Sequence, residues 1–332
     1  MGDMGDPVEA CVVGGGPAGL AAATWLGRYR RATVVLDSQE HRNRWVEAAH
    51  GYLGSDPVSP TALLDRARRD LARYESIELR YATATSAQCS VDGLFSIRTA
   101  DGREIHAQRL VLATGVRDEF PDVENFFDHY GKSVFHCPSC DGFEARNKAV
   151  VVFGWSAQVA SFSRGLLDWA ASVTVVTDDH PFEGESDHRA ELQRLGVHVV
   201  EDAVDELCGS GGILESVRLR TGGIIPCARA FFSIAHHQRT ALAEQLGCEL
   251  TEEGAIAVDH EGRTSVAGVY AAGDVTPGTQ YIQVAAANGA QAGTACALSL
   301  RDEPLGRPDD DHDRPEEQPV VGGEQRDGPN LA

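Results

Sequence analysis

One stretch near the start restricts the possible folds more than any other. Val8 to Val13 is short and apolar and reads as a buried strand. Gly14-Gly15-Gly16-Pro17-Ala18-Gly19 follows, then an alanine-rich helix through about Arg30 and a second strand from Ala32 to Asp37. This is a βαβ opening with G-x-G-x-x-G at Gly14, Gly16 and Gly19. Gly14 permits the tight turn, Gly16 lets the backbone approach a pyrophosphate, and Gly19 lets helix and strand pack closely. The helix N-terminus then faces the phosphates. Asp37 ends the second strand, where a carboxylate can accept ribose hydroxyls. A lone glycine motif is weak evidence; here strand, helix, second strand and acid all stand in order.

A second feature is chemical. Phe135-His136-Cys137-Pro138-Ser139-Cys140-Asp141-Gly142 holds two cysteines two residues apart. Such a pair can close and reopen a small disulfide ring, a two-electron device. It works best at the start of a helix, where the dipole stabilises a thiolate, and Asp141 could carry protons to or from the sulfurs. The pair alone is open between redox and zinc. Zinc needs two more ligands, and beyond the adjacent His136 no second Cys-x-x-Cys or His-x-x-x-His follows.

With 332 residues the chain has room for two domains. No apolar run is long enough to span a membrane, and the opening lacks a basic n-region, so the expected location is the cytoplasm. The other six cysteines are scattered, which is no secreted disulfide framework. A net charge of −21 argues against nucleic acid as a partner. Part of the acidity is local, in a Pro- and Gly-rich stretch read as a disordered tail over 303–332.

Further along, Thr61 to Tyr74 reads as an amphipathic helix, and strands are expected over Ile77 to Thr85, Ala87 to Val91 and Leu94 to Thr99. Leu110 to Ala113 is a buried strand ending in Thr114-Gly115. Ala149 to Phe153, Gly154, a helix from about Ala157 and a strand over Val173 to Val176 make a second βαβ unit. Its loop runs Gly154-Trp155-Ser156-Ala157-Gln158-Val159, so the glycines after the first are replaced. Strands at Val197 to Val200, Val217 to Leu219 and Arg229 to Ser233 follow. Tyr270-Ala271-Ala272-Gly273-Asp274 and a small-residue helix from Gln283 to Leu300 close the ordered part.

GGGPAG, the ATG ending at Gly115, CPSCDG and YAAGD arrive in the order seen in low-molecular-weight thioredoxin reductases, and the chain resembles that family over about 8 to 302. The resemblance implies an α/β fold of two Rossmann-like three-layer domains. An FAD domain would be discontinuous, over 8–118 and 234–302, with an inserted pyridine-nucleotide-type domain over 119–233 carrying the cysteines. It implies that Cys140 faces the flavin, that Cys137 exchanges with substrate, and that Asp141 is the acid–base group. It implies FAD contacts from Gly14, Gly16, Pro17, Ala18, Gly19, Asp37, Asn43, Thr114, Gly115, Gly273, Asp274, Gln283 and Val284. It also implies a homodimer.

The departures point to a subgroup. NADPH-using members keep G-x-G-x-x-A in the second unit and a basic cluster after the next strand. Here Trp155, Ser156 and Val159 interrupt the loop, Thr177-Asp178-Asp179-His180 follows the strand, and Ile282 replaces the arginine expected before Gln283. NADPH or NADH is therefore doubtful as a cofactor. The subgroup resembled includes dithiol oxidases of gliotoxin and holomycin type and thioredoxin reductases fed by ferredoxin or by unestablished donors; Arg42-Asn43 through His50-Gly51-Tyr52-Leu53 fits it too. The expectation is a flavin-coupled thiol–disulfide oxidoreductase acting on a thioredoxin-like protein or a small dithiol or disulfide, with oxygen or ferredoxin as electron partner. A conventional NADPH-dependent thioredoxin reductase is the runner-up. A flavin-binding redox sensor without turnover is the alternative from another class.

Overall fold

The computed structural model describes residues 6–301, so the tail expected over 303–332 lies outside the described residues. The strands form two separate large sheets. In the first, Ile77–Tyr81, Thr33–Asp37, Val8–Val13 and Glu104–Leu112 lie side by side in parallel, with Val269–Ala271 also parallel to Glu104–Leu112. Phe95–Thr99 and Ala84–Cys89 extend it antiparallel. Thr33–Asp37 is buried throughout, as expected of a parallel strand covered on both faces. One face carries the helices Pro17–Arg28, Pro60–Leu71 and Ile282–Ser299 over Ala10, Val12, Val35 and Val111. The other face packs Cys11, Val34, Leu36 and Leu112 against the antiparallel strands and the helix Ala241–Leu246.

Two helices meet almost backbone to backbone. A Cβ on Gly289 would lie 2.0 Å from the Ala18 carbonyl oxygen, and one on Gly293 would lie 2.5 Å from that of Ala22. The alanine–glycine sequence of Ile282–Ser299 thus lets it press on Pro17–Arg28 and holds that helix over the sheet.

The second sheet is parallel throughout, in the order His198–Val200, Ser172–Val176, Ala149–Phe153, Arg229–Phe232, Val134–Phe135. All five strands come from the segment expected as an insertion. A separate antiparallel sheet, Val204–Ser210, Ile213–Leu219 and Ile224–Pro226, adjoins it. The sequence reading had found only part of its middle strand. Between the two bodies, Val116–Asp118 pairs antiparallel with His236–Gln238, so the outgoing and returning chain form a two-stranded ribbon. Two other boundaries also moved: the strand expected over 77–85 ends at Tyr81, and the next spans Ala84–Cys89.

Candidate active site

The carboxyl ends of Val8–Val13, Thr33–Asp37, Glu104–Leu112 and Val269–Ala271 converge on one cavity of about 330 Å³, the crevice where open parallel sheets bind ligands. Gly14, Gly16, Pro17, Ala18, Asp37, Asn43, Thr114, Gly115, Gly273, Asp274 and Gln283 all line it, as do Cys137, Cys140 and Asp141. Gly19 and Val284 are not in the lining. A Cβ on Gly19 would lie 1.8 Å from the Gly14 carbonyl oxygen, and Gly14 itself has φ +121°. These two glycines let the loop turn flush against the helix. Gly16 has nothing within 4 Å of where its Cβ would be, so a phosphate can come close to the backbone there. Beyond the motif, a Cβ on Gly15 would collide with the Asp37 carboxyl carbon, 2.0 Å away.

Asp37 is buried and already engaged. Its Oδ2 accepts from Arg68 Nε at 3.1 Å and Nη2 at 2.9 Å, and its Oδ1 accepts from the Gln39 amide at 2.7 Å. A carboxylate has about four acceptor positions, so one remains for a ribose hydroxyl. Arg68, from the helix Pro60–Leu71, was not foreseen; its partner lies 31 positions away. His41 was missed as well. It lines the cavity, and both its ring nitrogens are buried without a protein partner. Burial, with Arg68 and Arg44 nearby, pushes its pKa below the ordinary histidine value, leaving a neutral imidazole. Unsatisfied polar atoms beside an open glycine turn fit the adenosine and pyrophosphate of a dinucleotide.

At the other end, Cys137 and Cys140 are joined as a disulfide. Pro138–Asp141 is a single helical turn with Cys137 as its N-cap, and the Cys140 amide donates to Cys137 Sγ at 3.2 Å. That donor would stabilise a Cys137 thiolate more directly than the dipole of so short a helix. His136 cannot help by charge. Burial takes its pKa down to about 4, and its Nδ1 pairs with the Tyr130 hydroxyl at 3.0 Å. Asp141 moves the other way. Burial raises its pKa to about 7, with His50 opposing and Glu144 adding to the rise. A carboxyl half-protonated near neutral pH can both take and give a proton beside a disulfide. Trp169 packs its ring over Gly142 behind the motif, a packing role.

Arg42 ties the site together. It donates to both Asp118 oxygens at 2.6 and 2.8 Å, to Asp274 Oδ2 at 3.1 Å and to Gln280 Oε1 at 2.6 Å. It thereby links the connecting ribbon to the Gly273-Asp274 turn. Burial raises the pKa of Asp274, and Arg42 pulls it partly back. His236 joins through its Nε2, 3.3 Å from Gln280 Nε2, while His237 is exposed and faces Glu119.

The loops after Ala149–Phe153 and Ser172–Val176 meet at the carboxyl end of the second sheet. Trp155, after the surviving Gly154, stacks on His180 with ring centroids 3.8 Å apart and planes 14° apart. Val159 is fully buried, and its Cγ2 would lie 2.7 Å from a Cβ on Gly154. Asp178 uses its Oδ1 to accept from the Val204 amide at 2.8 Å.

Comparison with known proteins fits this geometry. The sequence pattern of the family described as pyridine nucleotide-disulphide oxidoreductase matches residues 8–301. A thioredoxin reductase of Gibberella zeae is 30% identical over 343 residues, covering 90% of this chain and 99% of the relative. Thioredoxin reductase sirT of Leptosphaeria maculans is 28% identical, covering 86% and 92%. The crystal structure of an oxidoreductase from Agrobacterium tumefaciens superposes with a TM-score of 0.80 at 32% identity, covering 90% of this chain and all of that one. With the match spanning nearly all the described residues and FAD as the cofactor it implies, the chain belongs to the pyridine nucleotide-disulphide oxidoreductases, as a thioredoxin reductase-like flavoprotein disulfide oxidoreductase.

Proposed function

We propose that the protein moves electron pairs between a dithiol and its flavin through Cys137 and Cys140, without using NADPH in the ordinary way. The observation that carries the reading is the disulfide lining the same cavity as the glycine loop. The Trp155–His180 stack supports its second half, because it joins the loops after the first two strands of the second βαβ unit, where this fold class holds a nucleotide. On this reading 8–118 with 234–302 holds FAD, through the cavity-lining loop, Asp37, Asn43, Asp274 and Gln283, and 119–233 carries the disulfide.

In the oxidising direction a substrate thiol gives its proton to the Asp141 carboxylate, and the thiolate attacks Cys137 Sγ. The Cys137–Cys140 bond breaks and its electron pair stays on Cys140 Sγ. The second substrate thiol loses its proton to water, and its thiolate attacks the substrate sulfur of the mixed disulfide. Cys137 leaves as a thiolate, held by the Cys140 amide, and the substrate disulfide closes. FAD, when bound in the cavity that Cys140 lines, would supply the two-electron acceptor, with dioxygen or a ferredoxin-like protein as the onward acceptor. In the reducing direction the same exchange runs backwards onto a thioredoxin-like protein or small disulfide. Turnover with a dithiol under air tests the role of the pair. Cys140→Ser is expected to lose at least about 100-fold, while unchanged turnover with every dithiol tried would favour a redox sensor. The name thioredoxin reductase, borne by the Gibberella zeae relative, favours a second reading, in which the protein reduces a thioredoxin-like protein as a conventional NADPH-dependent thioredoxin reductase does.

A further inference from the structure

Asp141 is buried, so a proton it takes from a thiol needs a way out. The loop after Asn43 offers one. His50 lines the cavity with Cys137, Cys140 and Asp141. Its Nδ1 lies 3.0 Å from Asp56 Oδ1, and its Nε2 lies 3.7 Å from Glu144 Oε1. The Asp56 side chain is 51% exposed and that of His50 26% exposed. The imidazole thus lines the cavity with its Nδ1 on the exposed Asp56 and its Nε2 nearest Glu144.

The loop does not need this imidazole to close. Ala49 and Val58 exchange backbone hydrogen bonds at 2.8 and 3.0 Å, the Ser55 amide donates to the Tyr52 carbonyl at 2.9 Å, and the Gly51 amide donates to Asp56 Oδ2 at 3.0 Å. A ring fixed by one carboxylate at Nδ1 has its tautomer set by that bond, which leaves Nε2 to exchange a proton. The charged groups around it are few. Asp141 is acted on by His50 and Glu144. Glu144 is also felt by Lys148 and Arg229, and its Oε2 is buried without a partner. Asp56 has His50 and the Gly51 amide. The 3.7 Å gap to Glu144 is one that a small rotation closes.

We infer that His50, held by Asp56, is a positioning residue that passes protons between Asp141 and solvent during thiol–disulfide exchange. The inference rests on the proposed exchange at Cys137. For each substrate dithiol oxidised, two electrons enter the Cys137–Cys140 pair and two protons are released, and His50 and Asp56 carry the proton that Asp141 accepts.

The test follows flavin bleaching of the FAD-loaded protein by dithiothreitol without air, at pH 7 in weak buffer, where the rate is linear in dithiothreitol and exchange limits it. His50→Ala is expected to slow bleaching ~10-fold, less than the loss of a direct acid or base. Added imidazole is expected to restore the rate in proportion to its concentration. Asp56→Asn is expected to slow it too, and to make it depend on buffer concentration where the wild type does not. An unchanged rate in His50→Ala, or a slowed rate that imidazole does not restore, overturns the relay. If His50→Ala does not fold, the buffer dependence of Asp56→Asn decides, and its absence overturns the relay. Wild-type protein that no dithiol bleaches would sink the exchange reading itself, a result distinct from bleaching that is indifferent to His50.

Discussion

Asp141 sits where the local chemistry and the stability of the fold pull against each other. Burial lifts its pKa to about 7, against about 3.9 for an unperturbed aspartate. Between those values the folded chain binds a proton that the unfolded chain has lost. Its contribution to stability is therefore complete below about pH 4 and is lost as pH rises through 7. Asp141→Asn is expected to match wild type in unfolding free energy near pH 4 and to exceed it at pH 8, by up to a few kcal/mol. Equal gaps at both pH values would contradict the shift. The place of Asp141 in the cavity wall was legible from its position after Cys140, but its burial was not. The neutrality of His136 was equally hidden, because it depends on a pocket built from distant residues. Arg68 and His41 gave no local signal either: Arg68 read as one charge on an amphipathic helix, and His41 belongs to no motif.

Among the elements, those with a strong period were legible. Val8–Val13, the glycine loop and the helix after it stand as expected because each residue type there answers a local geometric demand. The antiparallel sheet of Val204–Ser210, Ile213–Leu219 and Ile224–Pro226 was mostly missed. Its strands are half-exposed, and their pairing is set by tertiary contact. The helix pair offers a test in which two effects oppose. Gly289→Ala should gain up to about 1 kcal/mol from helix propensity. The same Cβ meets the Ala18 carbonyl at 2.0 Å, and overpacking costs about 1–3 kcal/mol. The clash is with backbone, so it wins. The variant is expected to melt lower than wild type and, because Ala18 lines the cavity, to keep less FAD through gel filtration. A higher melting temperature would contradict the close approach.

Over the whole molecule, the fold brings the disulfide from one body to the glycine-loop cavity of another. Arg42, bonded to Asp118, Asp274 and Gln280, anchors the ribbon between them. The order of the motifs made this arrangement legible, since GGGPAG, CPSCDG and YAAGD have to converge for the chemistry to work. The stacking of Trp155 on His180 was not legible, although the loss of glycines beside Gly154 marked the place. That stack bears on the central claim, that electrons reach the flavin from thiols and not from NADPH. The most direct measurement mixes FAD-loaded protein, without air, with NADPH, with NADH and with dithiothreitol, and follows flavin absorbance. The account predicts rapid bleaching by the dithiol, lost in Cys140→Ser, and no rapid bleaching by either nucleotide; rapid bleaching by NADPH would contradict it and identify a conventional reductase.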